Sequence, residues 1–103
     1  MDDAMIRVIC QAQQSGAQVA LVSVIATRGS TPRKAGARML IFPDGRAFGT
    51  IGGGCAEAEV RLQALTALDD NRSFTVEVFM SGEAAADEGM ACGGTMQVFI
   101  QVV

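Results

Sequence analysis

The sequence predicts an α/β, α+β-like fold: a single domain in which a mixed β-sheet of about five strands carries two packed helices. Three observations lead there. Two segments repeat apolar residues at helical spacing, several shorter ones alternate or run continuously apolar, and their order is helix, strand, hairpin, helix, strand, strand. A chain of 103 residues has room for one modest core and no second domain.

Residues Asp2 to about Ser15 place Met5, Val8, Ile9 and Ala12 on one helical stripe, with Asp2 and Asp3 available as caps and Gly16 as the stop. Cys10 lies beside that stripe and reads as a small core or boundary residue. From Gln18 to Thr27 the run Val19-Ala20-Leu21-Val22-Ser23-Val24-Ile25-Ala26 is nearly continuous and rich in β-branched side chains, the pattern of a central strand covered on both faces. Ala37 to Phe42 reads as a strand, Pro43-Asp44-Gly45 as a turn and Arg46 to Thr50 as the return strand. Ala58, Leu62, Leu65 and Leu68 mark a second helix from Cys55 to about Leu68, and Glu57 and Glu59 suit its positive end. Asp69 and Asp70 oppose the dipole at the other end and are assigned to the turn. Phe74, Val76, Val78 and Met80 alternate with polar or outward residues, as do Met96, Val98, Ile100 and Val102, and each set predicts a strand with one buried face.

Composition narrows the function. Half the residues are hydrophobic and 18% are charged, which suits an ordered domain with apolar surface left for a partner or for homo-oligomer formation. A net charge of −3 without any lysine or arginine run argues against nucleic-acid binding. No stretch approaches the length of a membrane span, and Met1-Asp2-Asp3 does not open a secretory leader, so a cytoplasmic location is expected. Cys10, Cys55 and Cys92 then read as free thiols. With no histidine and no Cys-x-x-Cys pair, a protein-only zinc site has only scattered ligands to draw on.

The densest chemical signal is Gly49-Thr50-Ile51-Gly52-Gly53-Gly54-Cys55-Ala56-Glu57, a glycine turn that delivers a cysteine to a helix start. Unpaired N–H groups and the macrodipole favour a thiolate or a phosphate there. The spacing matches neither a dinucleotide fingerprint nor a Walker A loop. Arg28, Ser30, Arg33, Lys34 and Arg38 surround a second turn-forming loop, and the hairpin that follows returns the chain toward it, so the basic loop and the glycine turn are expected at one place. A third segment, from Ser81 to Gly94, is acidic and then ends Cys92-Gly93-Gly94. Cys55 and Cys92 are the candidate reactive thiols; Glu57, Glu83, Asp87 and Glu88 are the carboxylates able to act as acids or bases.

Taken together, Gly29-Ser30-Thr31-Pro32-Arg33-Lys34-Ala35-Gly36-Ala37-Arg38-Met39, Asp44-Gly45, the stretch from Gly49 to Glu57, and Cys92-Gly93-Gly94 resemble the N-terminal domain of the XdhC/CoxI family, the xanthine dehydrogenase accessory factors. The blocks occur in the family's order. The resemblance implies a maturation role: binding the molybdenum cofactor (molybdopterin, as such or in dinucleotide form) transiently, and assisting its sulfuration and its insertion into an apo-molybdenum hydroxylase. On that reading the cofactor-binding set is Ser30, Arg33, Lys34, Arg38, Gly52, Gly53, Gly54, Cys55, Glu57, Cys92 and Gly93, and Cys55 is the candidate ligand to molybdenum. A sulfurtransferase or a separate Rossmann-domain protein is a further candidate partner, because longer family members carry a Rossmann-type domain after this region and residues 1–103 hold none. The role implied is that of a cofactor-binding chaperone more than a catalyst. Two alternatives stay open: a thiol-based sulfur carrier or redox protein using Cys55 and Cys92, and a non-catalytic docking or oligomerisation domain.

Overall fold

A computed structural model describes residues 2–29, 35–51, 54–79 and 94–103. They form helix α1 (Asp3–Gln14), strands β1 (Ala20–Arg28), β2 (Arg38–Ile41) and β3 (Ala47–Gly49), helix α2 (Gly54–Asp70), and strands β4 (Phe74–Phe79) and β5 (Thr95–Val102). The strands make one sheet in the order β3-β2-β1-β5-β4, with β1 at its centre as its sequence pattern requires. Every pairing is antiparallel, which corrects the expected mixed sheet. A parallel pair needs a crossover between neighbouring strands. Here α2 carries the chain from β3 at one edge to β4 at the other, and β5 then inserts between β4 and β1, antiparallel to both.

The helices cover opposite faces. Ala20, Val22 and Val24 of β1 join Met39, Ile41, Val98 and Ile100 against Ala56, Val60, Ala64 and Ala67 of α2. Val19, Leu21 and Leu40 point the other way and pack with Met5, Val8, Ile9 and Ala12 of α1. The unbroken apolar run of β1 has this cause: alternate side chains serve two separate cores. Cys10 belongs to neither core and is exposed, contrary to its reading as a core or boundary residue. It lies on the solvent side of the stripe that Met5, Val8, Ile9 and Ala12 define, so proximity in sequence did not bring it into the packed face.

Both helices end in the same way. At α1 the Asp2 carboxylate accepts the Met5 N–H at 2.8 Å, and the far end closes through Gly16 at φ 78, with Ala17 N–H on the Ala12 carbonyl at 2.9 Å. At α2 the left-handed residue is Asn71, φ 52, and the Arg72 N–H reaches the Ala67 carbonyl at 3.0 Å. Asp69 and Asp70 are therefore the last residues of the helix and not part of a turn. Two exposed carboxylates lose little to a solvent-screened dipole, whereas the closing motif satisfies carbonyls that would otherwise be orphaned.

Candidate functional site

Strands β1, β3 and β4 run toward one end of the sheet, and β2 and β5 start from it. Gly29, Ala35, Ile51, Gly54, Phe79 and Gly94 accordingly flank that same end. The three segments that carried the chemical signal each leave the described structure there and return to it there. Ser30, Arg33, Lys34, Gly52, Gly53, Cys92 and Gly93 themselves lie outside the described residues, as do Glu83, Asp87 and Glu88. Gly54 and Cys55 are the opening residues of α2, so the backbone of Cys55 stands in the turn whose N–H groups have no intrahelical partner.

Two described candidates are placed by short local contacts. Arg38 opens β2 opposite Ser23, and its guanidinium donates to the Gly36 carbonyl at 3.5 Å. The Thr50 hydroxyl donates to the Glu57 carboxylate, which ties the end of β3 to the first turn of α2 across the glycine turn. Gly49, at φ 85, lets β3 approach closely: a Cβ there would stand 3.1 Å from the Arg38 carbonyl oxygen. Glu57, a candidate binding group in the sequence, is thereby held beside the glycine turn. Among the described residues no group of three or more cysteines and carboxylates could hold a metal, and no helix is long and apolar enough to cross a membrane.

The fold also assembles a polar face that the motifs did not single out. Strand β1 pairs with β2 from Ala20 to Ser23, and Val24 still donates to the Ala37 carbonyl and accepts from the Gly36 N–H; from Ala26 to Arg28 its described pairing is with β5. A bulge at Ile25 shifts the register, so Val24 faces Val98 while Ala26 faces Gln97 and Arg28 faces Thr95. Without the extra residue, Arg28 would share the parity of Val22 and Val24 and point at α2; with it, Arg28 points to the face that carries α1. Beyond the area that α1 covers, Ala26, Arg28, Thr95, Gln97 and Glu77 line a shallow cleft of about 120 Å³ together with Thr27. Gln97 and Glu77 are paired across β5 and β4, as are Thr95 and Phe79. The signal available in the sequence was Phe79, an aromatic at an outward position of the alternating strand, two residues after Glu77, and it is 72% exposed.

Comparison with known proteins adds a family. The model of the XdhC and CoxI family matches residues 12–79. The protein YqeB of Escherichia coli is 38% identical over 90 residues, which is 87% of this chain and 16% of YqeB. The molybdenum cofactor insertion chaperone PaoD of the same organism is 32% identical over 90 residues, 87% of this chain and 28% of PaoD. A crystal structure described as a xanthine dehydrogenase from Bacillus halodurans superposes with a TM-score of 0.74 at 27% identity, covering 95% of this chain and 30% of that one. The chain therefore spans less than a third of the length of each of these relatives.

Proposed function

Because the chain belongs to the XdhC and CoxI family, we propose that it binds the molybdenum cofactor and assists its sulfuration and insertion into a molybdenum hydroxylase of the xanthine dehydrogenase class. The kinship with a molybdenum cofactor insertion chaperone supports the cargo, and the name of another relative, a probable xanthine dehydrogenase subunit of Bacillus subtilis, supports the client. One structural observation carries the reading: the described residues that flank the basic loop, the glycine turn and the Cys92 segment all lie at one end of the sheet.

The residue types suit that cargo. Its phosphate is an anion, and Arg28 and Arg38 stand at this end of the sheet with Arg33 and Lys34 between them in sequence. Backbone N–H groups at the start of α2 add donors that need no side chain. Cys55 and Cys92 supply soft thiolates, the ligand class that molybdenum and its sulfur partners favour. Once in the client, the cofactor supplies the molybdenum centre; the work of this chain is to hold the cargo, shield it from water and release it.

The test is activation of a cofactor-free hydroxylase. Purified apo-hydroxylase, free molybdenum cofactor and this chain are combined, and hydroxylase activity is followed with and without the chain. The reading predicts faster and more complete activation with the chain present, diminished by Cys55→Ser or by joint Arg33→Ala and Lys34→Ala. Identical activation curves with and without the chain would refute an insertion role.

A further inference from the structure

We infer that the open sheet face beside α1 reads the pterin ring of the cargo: the Glu77 carboxylate accepts from the 2-amino and ring N–H groups of the pterin's aminopyrimidinone edge, while Arg28 meets the anionic end. This rests on the molybdenum-cofactor reading above and names the part of the chain that recognises the organic portion of the cofactor.

The register fixes the arrangement. Ala26, Gln97 and Glu77 form one row across β1, β5 and β4, and Arg28, Thr95 and Phe79 form the next. Two strand spacings of ~4.8 Å and a two-residue step of ~6.8 Å place the Arg28 and Glu77 Cβ atoms about 12 Å apart. Neither makes an ion pair among the described residues, and both line the same cleft. A cation and a carboxylate that enter the face from opposite corners, two strands and one row apart, with an amide and a hydroxyl between them, suit an elongated molecule that is anionic at one end and donates paired N–H groups at the other. A pterin whose substituent ends in a phosphate has that form.

Phe79 supplies a second, independent reason. It neighbours Glu77 on the same strand face and is 72% exposed, so its ring is available to a flat ligand on that face. Aromatic side chains on open sheet faces stack heteroaromatic rings irrespective of their hydrogen-bonding edges. Glu77 then supplies what stacking lacks, selection among rings. A carboxylate accepts two parallel N–H bonds from an aminopyrimidinone and repels the carbonyl that replaces the amino group in a lumazine. The Arg28 row is the one nearer Gly29 and Gly94, so the anionic end of the ligand lies at the end of the sheet that those residues mark.

Guanine presents the same edge, so the experiment separates the two. Binding of pterin-6-carboxylate, lumazine-6-carboxylate and guanosine monophosphate to the chain is measured by fluorescence and competition, with far-UV circular dichroism as the folding control. The wild-type chain should prefer the pterin over the lumazine by about tenfold, the low end for a charged hydrogen bond at an exposed site. Glu77→Gln should bring the two within about threefold, and Arg28→Gln should weaken both equally. An unchanged preference in Glu77→Gln, or guanosine monophosphate displacing the pterin, overturns the inference. Pterin content of chain purified from cofactor-producing cells distinguishes the two levels of the account. Cofactor retained by wild type and equally by Glu77→Gln removes this cleft and leaves the proposed function standing. No cofactor and no pterin binding in wild type removes both.

Discussion

Substituting Gly49 tests how the end of β3, where the chain enters the glycine turn, is held against the rest of the fold. Gly49 has φ 85, and a Cβ on it would stand 3.1 Å from the Arg38 carbonyl oxygen and 3.2 Å from Met5 Cε. The methionine end can yield, but a carbonyl within the β2–β3 ladder cannot do so without loosening the pairing of Met39 with Gly49. An L-residue in this left-handed region costs about 1–2 kcal/mol, and forced overpacking adds about 1 kcal/mol or more. Gly45, at φ 90 with nothing within 4 Å of its Cβ position, isolates the first cost. Gly49→Ala should therefore lose about 2–3 kcal/mol and Gly45→Ala about 1–2 kcal/mol. For a domain of this size each kcal/mol lowers Tm by roughly 4–8 °C. The chain has no tryptophan or tyrosine, so unfolding is followed by far-UV circular dichroism in urea and on heating. Equal losses for the two variants would refute the close contact as the feature that seats β3.

Other expected outcomes follow from single contacts. Ile100→Ala, at a fully buried position between β1 and β4, should cost about 3–4 kcal/mol in urea unfolding. Asn71→Ala should destabilise by about 1 kcal/mol, while Asn71→Gly should be close to neutral, since glycine eases the left-handed closure of α2 and gives up only the exposed hydrogen bond that Gln18 Nε2 donates to Asn71 Oδ1. Cys10→Ser should stay within about 0.5 kcal/mol because the side chain is exposed. The backbone N–H of Arg46, aided by its guanidinium, holds the Asp44 carboxyl below its ordinary value. The small stabilisation from this contact is present above the unfolded-state value and is lost as pH falls through the lowered folded value. In an NMR titration Arg46→Ala should move the Asp44 midpoint only part of the way back, since the backbone donor remains.

Much of the fold could be read from periodicity. The continuous run from Val19 to Val24 announced a strand packed on both sides, and the stripe Met5, Val8, Ile9, Ala12 announced the helix that covers one of them. Strand direction could not be read so simply. The order of elements suggested a mixed sheet, but periodicity says nothing about which strand inserts between two others, and the insertion of β5 made the sheet antiparallel. The end of α2 was missed for a similar reason: charge opposed Asp69 and Asp70, and the decisive residue was Asn71, whose tolerance of a left-handed backbone outweighs a screened dipole. At the site, the returning hairpin put the basic loop and the glycine turn at one place, and the topology brings their flanks together with those of the Cys92 segment, whose position the sequence did not indicate. The cleft formed by Arg28, Gln97 and Glu77 was invisible because it depends on a bulge at Ile25 that reverses the facing of Arg28, and no local sequence pattern marks a one-residue slip between β1 and β5.

The most direct test of the central claim is the pterin content of the chain itself. The protein is purified from cells that synthesise molybdenum cofactor and, in parallel, from cells that cannot. Each preparation is oxidised, and the fluorescent pterin released is counted per chain. The account predicts pterin approaching one per chain from the first source, none from the second, and restoration on adding cofactor to the empty protein. Empty protein from both sources that also fails to load would contradict it.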